Sequence, residues 1–324
     1  MRKSTKIWLI TAASSILLGG ILFTASACSV GWDFSKFSTV KNTTTTHEIK
    51  EAFENISIDL ATTDVAFLPS DNDNCKVVCY EDEKQKHSVS VENSTLTIKQ
   101  TDERKWYEHI AVFGGKNPEI SVYLPQAEYA ALTVKITTGD VEIPKDFIFD
   151  SINHSGSTGE FDCFASVKNS LTVKVSTGDV QLQNLSAGAV DITTSTGDIE
   201  VSSVHVINDF KVSVNTGSTE LTDVTCNNFD SDGDTGDLEM KNVIIAGKMT
   251  VERDTGDVEL TDCDAAEIFI QTDTGDVTGS LRSAKDFHAD SDTGRVRVPY
   301  PSTGGKCEIQ SDTGDILISV WEKE

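Results

Sequence analysis

A Thr-Gly pair recurs ten times between residues 138 and 314, with its glycines at 139, 159, 178, 197, 217, 236, 256, 275, 294 and 314. The spacing is always 19 or 20, which is 175 residues over nine intervals. A fixed period in this range belongs to repeat architectures, in which one unit cannot bury its own apolar face and stacking supplies the core. It excludes an ordinary β-sandwich, whose loops vary in length, and a propeller blade, which needs about 40–50 residues.

Each copy, read outward from its glycine, repeats the same side chains. Two residues on stand Val141, Phe161, Val180, Ile199, Thr219, Leu238, Val258, Val277, Val296 and Ile316. Four on stand Ile143, Cys163, Leu182, Val201, Leu221, Met240, Leu260, Gly279, Val298 and Ile318. A second apolar run begins twelve or thirteen residues on, as at Leu171, Val190, Phe210, Phe229 and Ile268. Spacing by two inside each run predicts strands with alternate side chains facing inward. Each copy therefore reads as strand, turn, strand, turn. The one-residue variation falls before the second strand, so that turn tolerates length changes. The expected fold is all-β: a single-chain β-solenoid of about ten coils. Stacked at about 4.8 Å, these make a rod of roughly 48 Å. Glycine suits the turn because it accepts positive φ.

Composition narrows the partners. Asp and Glu number 52 against 27 Lys and Arg, a net charge of −25. Nucleic-acid binding needs a basic surface, so a nucleic-acid partner is not expected. The chain has no Cys-x-x-Cys, His-Glu-x-x-His, Gly-x-Ser-x-Gly or Walker pattern.

The first residues place the chain in a compartment. Arg2, Lys3 and Lys6 precede an uncharged stretch from Ile7 to Ala27. As a helix it would extend about 31 Å, enough to cross a bilayer. Three fates compete: an uncleaved signal anchor, which the length favours; cleavage after Ala25-Ser26-Ala27; and lipidation at Cys28 through a poor lipobox. In each, the bulk of the chain lies outside the membrane. The expected organisation is a cytoplasmic end (1–6), a transmembrane signal anchor (7–27), a polar tether (28–50), an irregular β cap (51–138) and the solenoid (139–324). Thr62-Thr63-Asp64-Val65 looks like a degenerate copy of the repeat turn. Trp321 and the charged residues 322–324 are expected to blunt the far end.

The Ile-Ser-Val-Tyr-Leu-Pro run at 120–125, the N-terminal apolar stretch and the tandem Thr-Gly-Asp coils together resemble the bacterial β-strand-repeat family catalogued as putative adhesins, a domain of unknown function. Trp32-Asp33-Phe34 is similar to membrane-tethered members of that family from Gram-positive bacteria. The resemblance covers about residues 50–324, implies a surface role and brings no catalytic residues.

Several residues are candidates for chemistry. Asp-Thr-Gly at 234–236, 254–256, 273–275, 292–294 and 312–314 matches the loop of aspartic proteases. A catalytic pair needs two special positions, whereas these fall in a column, so the turn reading is preferred. One residue after the glycine stand Asp140, Glu160, Asp179, Asp198, Asp237, Asp257, Asp276 and Asp315. Three after stand Glu142, Asp162, Glu200, Glu220, Glu239 and Glu259. Stacked like charges cost on the order of 1 kcal/mol per neighbouring pair at low salt, so something must offset them. Turn hydrogen bonds and screening are the first answer. Bound Ca²⁺ is the second, with Asp230, Asp232, Asp234, Asp237, Asp257 and Asp276 as candidate ligands. Arg295 and Arg297 are expected to pair with Asp276 and Asp315. Cys163, Cys263 and Cys307 fall in core columns, Cys226 is expected to be the exposed thiol, and Cys75 and Cys79 lie too far apart along one strand for a disulfide. Trp106-Tyr107, beside Arg104 and Lys105, is a candidate sugar-stacking patch.

The expected function is that of a non-enzymatic, membrane-tethered envelope module, with an unidentified envelope protein or glycan as partner. The alternatives are a β-helix enzyme acting on polysaccharide and an envelope-stress sensor component.

Overall fold

The computed structural model describes residues 3–29, 31–32, 42–72, 74–82, 84–102, 118–300 and 303–320. The expected roles of Trp106-Tyr107 and Trp321 fall outside these residues. Helix α1 (Lys3–Ser29) precedes a β-solenoid of about nine turns.

A regular coil has three sides, where the sequence suggested two. Residues 190–208 show one. On the first side Val190, Ile192 and Thr194 face inward, on the second Ile199 and Val201, on the third Val204 and Val206. In the middle of the stack each coil pairs in parallel register with the next: Ile192 opposes Val212, Val201 opposes Leu221 and Val204 opposes Val224. Equivalent residues thus stack into apolar columns along the axis. Each fully buried Val, Leu, Ile or Phe contributes about 1.5–3 kcal/mol. Phenylalanines fill the wider places, with Phe210 and Phe229 edge-to-face at 5.5 Å.

The corners explain the period. At the first, Gly197 has φ of 143°, and a Cβ there would lie 2.1 Å from the carbonyl oxygen of Gly178 in the adjacent coil. At the second, Asn184, Ser203, Asp223, Asn242 and Asp262 take φ between 54° and 58°. This is the left-handed conformation that Asn and Asp tolerate best. That column was missed in the sequence, where six residues after each glycine looked like ordinary polar turn. The third corner, as at Ile207-Asn208, takes up the extra residue.

Both ends depart from chain order. The strands β2 (Asn55–Thr62) and β3 (Asp64–Pro69) form a true coil, although the region 51–138 reads as an irregular cap. Ile56 opposes Leu132 of β8 (Glu128–Thr138), and Val65 opposes Val141 of β9 (Val141–Ile143). Thr63 takes the corner position: its carbonyl oxygen lies where a Cβ on Gly139 would fall, at 2.2 Å. On the other side of that coil lie β6 (Thr95–Asp102) and β7 (Glu119–Leu124). The hairpin strands β4 (Cys75–Asp82) and β5 (Gln85–Glu92) close this edge by antiparallel pairing with β7 and β6.

The segment 42–49, expected within a polar tether, is instead strand β1 (Asn42–Ile49), antiparallel to β4. Thr45, His47 and Ile49 are its less exposed residues, a period-two pattern that the run of threonines hides. β-Branched threonines favour an edge strand once a partner is available.

At the far end, strand Gly305–Thr313 inserts between the coil of Ile268 and strand Lys285–Ser291. Gly314 therefore stacks on Gly275, and Gly294 stacks on Gly314. The ninth copy in the sequence is therefore the terminal one in the stack, and it is irregular. Gly294 lacks the positive φ of the other nine, and Val296, expected in the core, is 42% exposed.

Helix α1 forms where the apolar stretch 7–27 predicted one. Among the described residues, however, no helix is long and apolar enough to cross a membrane. The side chains of residues 3–11 and 13 lie outside those described. The helix exposes Ile16, Leu17, Leu18, Ile21 and Leu22.

Candidate functional site

The second side of the solenoid carries two columns of acids. The column beside the glycines is held by the backbone. Asp64 Oδ1 accepts the N–H of Asp140 at 3.1 Å, and Asp140 Oδ1 accepts that of Glu160 at 2.9 Å. Asp179 accepts from Asp198, and Asp198 from Ser218. Asp237, Asp257 and Asp276 continue the chain to Asp315 at 2.7–2.8 Å. Each of these aspartates thus caps the corner amide of the adjacent coil, a charge-assisted bond that offsets repulsion along the column. The offset for stacked acids is therefore in the turn itself.

The outer column has no such support. Glu200 opposes Glu220, Glu220 opposes Glu239 and Glu239 opposes Glu259, all in register and all exposed. Further along, Asp162 lies between Glu142 and Gln181. Partial burial pushes the Asp162 carboxyl above its usual range, and Glu160, Glu142 and Asp140 add to the effect. Glu160, Asp162, Asp179, Asp198, Glu200 and Glu220 line a shallow acidic recess on this side.

The six aspartates considered for Ca²⁺ do not converge. Asp230, Asp232 and Asp234 alternate outward along one strand, between buried Phe229, Ser231 and Gly233. Asp237, Asp257 and Asp276 stand one per coil and use Oδ1 on backbone amides. Among the described residues, the one His/Cys/Asp/Glu group with ligand atoms close enough to share a metal is Cys79, Glu81 and His87 in the cap. None of the six belongs to it.

The cationic break in the acidic columns sits at the end of the stack. Arg295 donates to Asp315, Nη2 to Oδ2 at 2.5 Å, and holds that carboxyl below its usual range. Asp276 acts on Arg295 only through its field. Arg282, by contrast, serves the second corner column, with bonds to Asp262 and Asn242.

The thiols differ from expectation at one position. Cys163, Cys263 and Cys307 are core residues, as their columns implied, and Cys75 and Cys79 are unbridged. Cys226 is only 5% exposed and packs on the third side, with burial raising its pKa to about 12. Two polar residues that the columns did not single out lie in the interior. His154 occupies a valine column, stacked on Phe161 at 4.6 Å, with Nδ1 unpartnered. Arg253 folds over Gly233 and donates to Ser231 Oγ at 2.8 Å and to its neighbour Glu252's carbonyl at 2.9 Å.

A stack of Thr-Gly-cornered coils with an antiparallel cap has a counterpart among known families. The family described as Toastrack DUF4097 matches residues 53–207 and again 206–324. The chain belongs to this family. The two matches meet at the middle of the Toastrack stack and together span its coils from β2 onward. Solved structures with similarity along this Toastrack chain include one described as a "putative adhesin" from Parabacteroides distasonis ATCC 8503. It is 13% identical, with 87% of this chain and 98% of that chain covered and a TM-score of 0.48. A second "putative adhesin", from Parabacteroides merdae ATCC 43184, is 11% identical over 86% and 96%, with a TM-score of 0.44. A "putative lipid binding protein" from P. distasonis ATCC 8503 is 16% identical over 85% and 97%, with a TM-score of 0.43. No curated protein sequence matches the chain.

Proposed function

We propose that this Toastrack chain is a non-enzymatic surface module, attached to the bacterial envelope by its N-terminal segment and recognising a basic partner through its acidic side. The observation that carries the reading is the in-register row Glu200, Glu220, Glu239 and Glu259, exposed and facing no cation in the column. Charges at the coil spacing repel by about 0.9 kcal/mol per pair in water before screening. The inner column offsets this with amide bonds, whereas the outer one relies on solvent and salt. A partner with regularly placed Lys or Arg would relieve the repulsion. Rigid stacking lets several weak contacts act together. Divalent ions would act along the row as exchangeable counterions.

Attachment through the N-terminus rests on the basic residues Arg2, Lys3 and Lys6, the uncharged stretch after them, and the exposed apolar side chains of α1. The short corners argue against the polysaccharide-enzyme alternative, because a cleft needs long loops.

The test is a binding titration with a lysine-rich peptide at several salt concentrations. The full chain is compared with the variant Glu200→Gln, Glu220→Gln, Glu239→Gln, Glu259→Gln. Salt-sensitive binding lost in the variant supports the reading; equal binding by both sinks it. Turnover of a polysaccharide, abolished by one carboxylate change, would instead establish an enzyme. Fractionation of cells and protease accessibility would test the attachment.

A further inference from the structure

The cap buries a set of side chains that the acidic face does not use. Glu81 and Cys79 project inward from β4, and His87 projects from β5 to meet them. The side chain of His87 is 0% exposed and that of Glu81 4%. Their ligand atoms, with Cys79 Sγ, all lie within 4.8 Å of one another. His47 enters from β1, diagonal to Cys79 across the β1–β4 pairing, and its Nε2 is buried without a hydrogen-bond partner.

The hydrogen bonds around His87 leave one contact unresolved. Its Nε2 is 3.3 Å from Thr63 Oγ1, and the Thr63 hydroxyl lies 2.5 Å from the carbonyl oxygen of Thr62. With the hydroxyl proton on that carbonyl, Oγ1 accepts and the tautomer assigned to His87 carries its proton on Nε2. Nδ1 is then a lone pair facing Glu81 Oε2 at 3.0 Å. Glu81 takes two further donors: Oε2 the backbone N–H of His87 at 2.7 Å, and Oε1 the Thr45 hydroxyl at 2.7 Å. Either a proton or a metal ion between Nδ1 and Oε2 satisfies this buried contact.

We propose that Cys79 Sγ, Glu81 Oε2 and His87 Nδ1 bind a zinc-class divalent ion. Sulfur, imidazole nitrogen and carboxylate oxygen are the donors such ions take. Two light donors on a tetrahedral ion stand about 3.3 Å apart, close to the observed contact. Thr63 on the far nitrogen is the outer-shell partner that fixes a ligand histidine's tautomer. Binding deprotonates the thiol, which burial otherwise keeps protonated. The ion would tie together β4 and β5, the hairpin that closes the open edge of the stack. Its role is a structural lock on the cap, separate from the acidic face.

The experiment uses the full chain, reduced and stripped of metal, titrated with Co²⁺ and then displaced by Zn²⁺. The expected result is one Co²⁺ per chain, with visible bands of tetrahedral cobalt and a near-ultraviolet thiolate band, and a higher melting temperature with Zn²⁺. Cys79→Ser should remove the thiolate band while Cys75→Ser keeps it. Thr63→Val should weaken binding roughly 10–100-fold without removing a ligand. Circular dichroism of each variant confirms that it is folded. A folded wild-type chain that takes up no stoichiometric Co²⁺ overturns the proposal and leaves a proton between His87 and Glu81. A thiolate band that survives Cys79→Ser overturns it too.

Discussion

Replacing Gly197 by alanine tests why the repeat exists. The new Cβ would lie 2.1 Å from the carbonyl oxygen of Gly178 and 2.6 Å from its carbon. Carbon and oxygen do not approach below 3.0 Å, so the two coils must separate by about 1 Å at this corner. The bonds there are already at normal length: Gly178 N–H to Thr196 O at 2.9 Å, and Val180 N–H to Asp198 O at 3.0 Å. Stretching by about 1 Å takes them out of range. Each costs about 1 kcal/mol, and φ of 143° costs a residue with a side chain about 1–3 kcal/mol more. The sum is on the order of 3–5 kcal/mol. In a stacked array the loss is felt first by the neighbouring coils. Urea unfolding followed by circular dichroism reads the total, and amide hydrogen exchange reads where it falls. Exchange should rise in strand Asp209–Thr216 before it rises in β8. Asn184→Gly, which only relaxes a left-handed corner, should stay within about 1 kcal/mol of wild type. If Gly197→Ala unfolds at the wild-type urea concentration, close stacking does not explain the glycine column.

The other consequences are open to simpler measurements. Removing the acceptor in Asp257→Ala leaves the Asp276 amide without its cap, so the melting temperature should fall, and Asp257→Asn should fall less. Burial lowers the His154 pKa to about 4, whereas the unfolded chain titrates near 6.5. Between those values the unfolded state binds more protons, so the stability that His154 contributes is complete above pH 6.5 and declines as pH falls towards 4. The full change is on the order of 3 kcal/mol, and His154→Leu should flatten it in denaturant titrations across that range. Cys28 is exposed and the other six cysteines are buried, so a thiol reagent should label one site in the native chain and seven after denaturation. Early labelling of Cys226 would contradict its place in the core.

The acidic face was legible to different depths. Asp257 and Glu259 could be assigned outward from alternation alone, and their columns came directly from the period. That Asp257 caps an amide while Glu259 does not depends on side-chain length and distance from the corner, which only coordinates supply. The second corner was legible in principle, since Asn184, Asp223, Asn242 and Asp262 are residues that accept left-handed φ. It was obscured because those types are also common in any turn. Cys226 was misplaced for a related reason: a two-strand reading of the coil left its position in a turn, and the third side turned that position inward.

The sequence by itself determined the coil. Stacking at fixed spacing makes each residue's environment a copy of its neighbours' 19 or 20 positions away, so a local pattern written ten times suffices. It did not determine the ends. Ile56 pairs with Leu132 across 76 residues, and Gly314 slips between Gly275 and Gly294, because parallel edges of one pitch accept any strand of matching register. Tertiary structure made that choice through which edge was open, and with it brought Cys79, Glu81 and His87 into one buried cluster. Their separation in the chain gives no periodic signal, because the antiparallel hairpin that joins them occurs once.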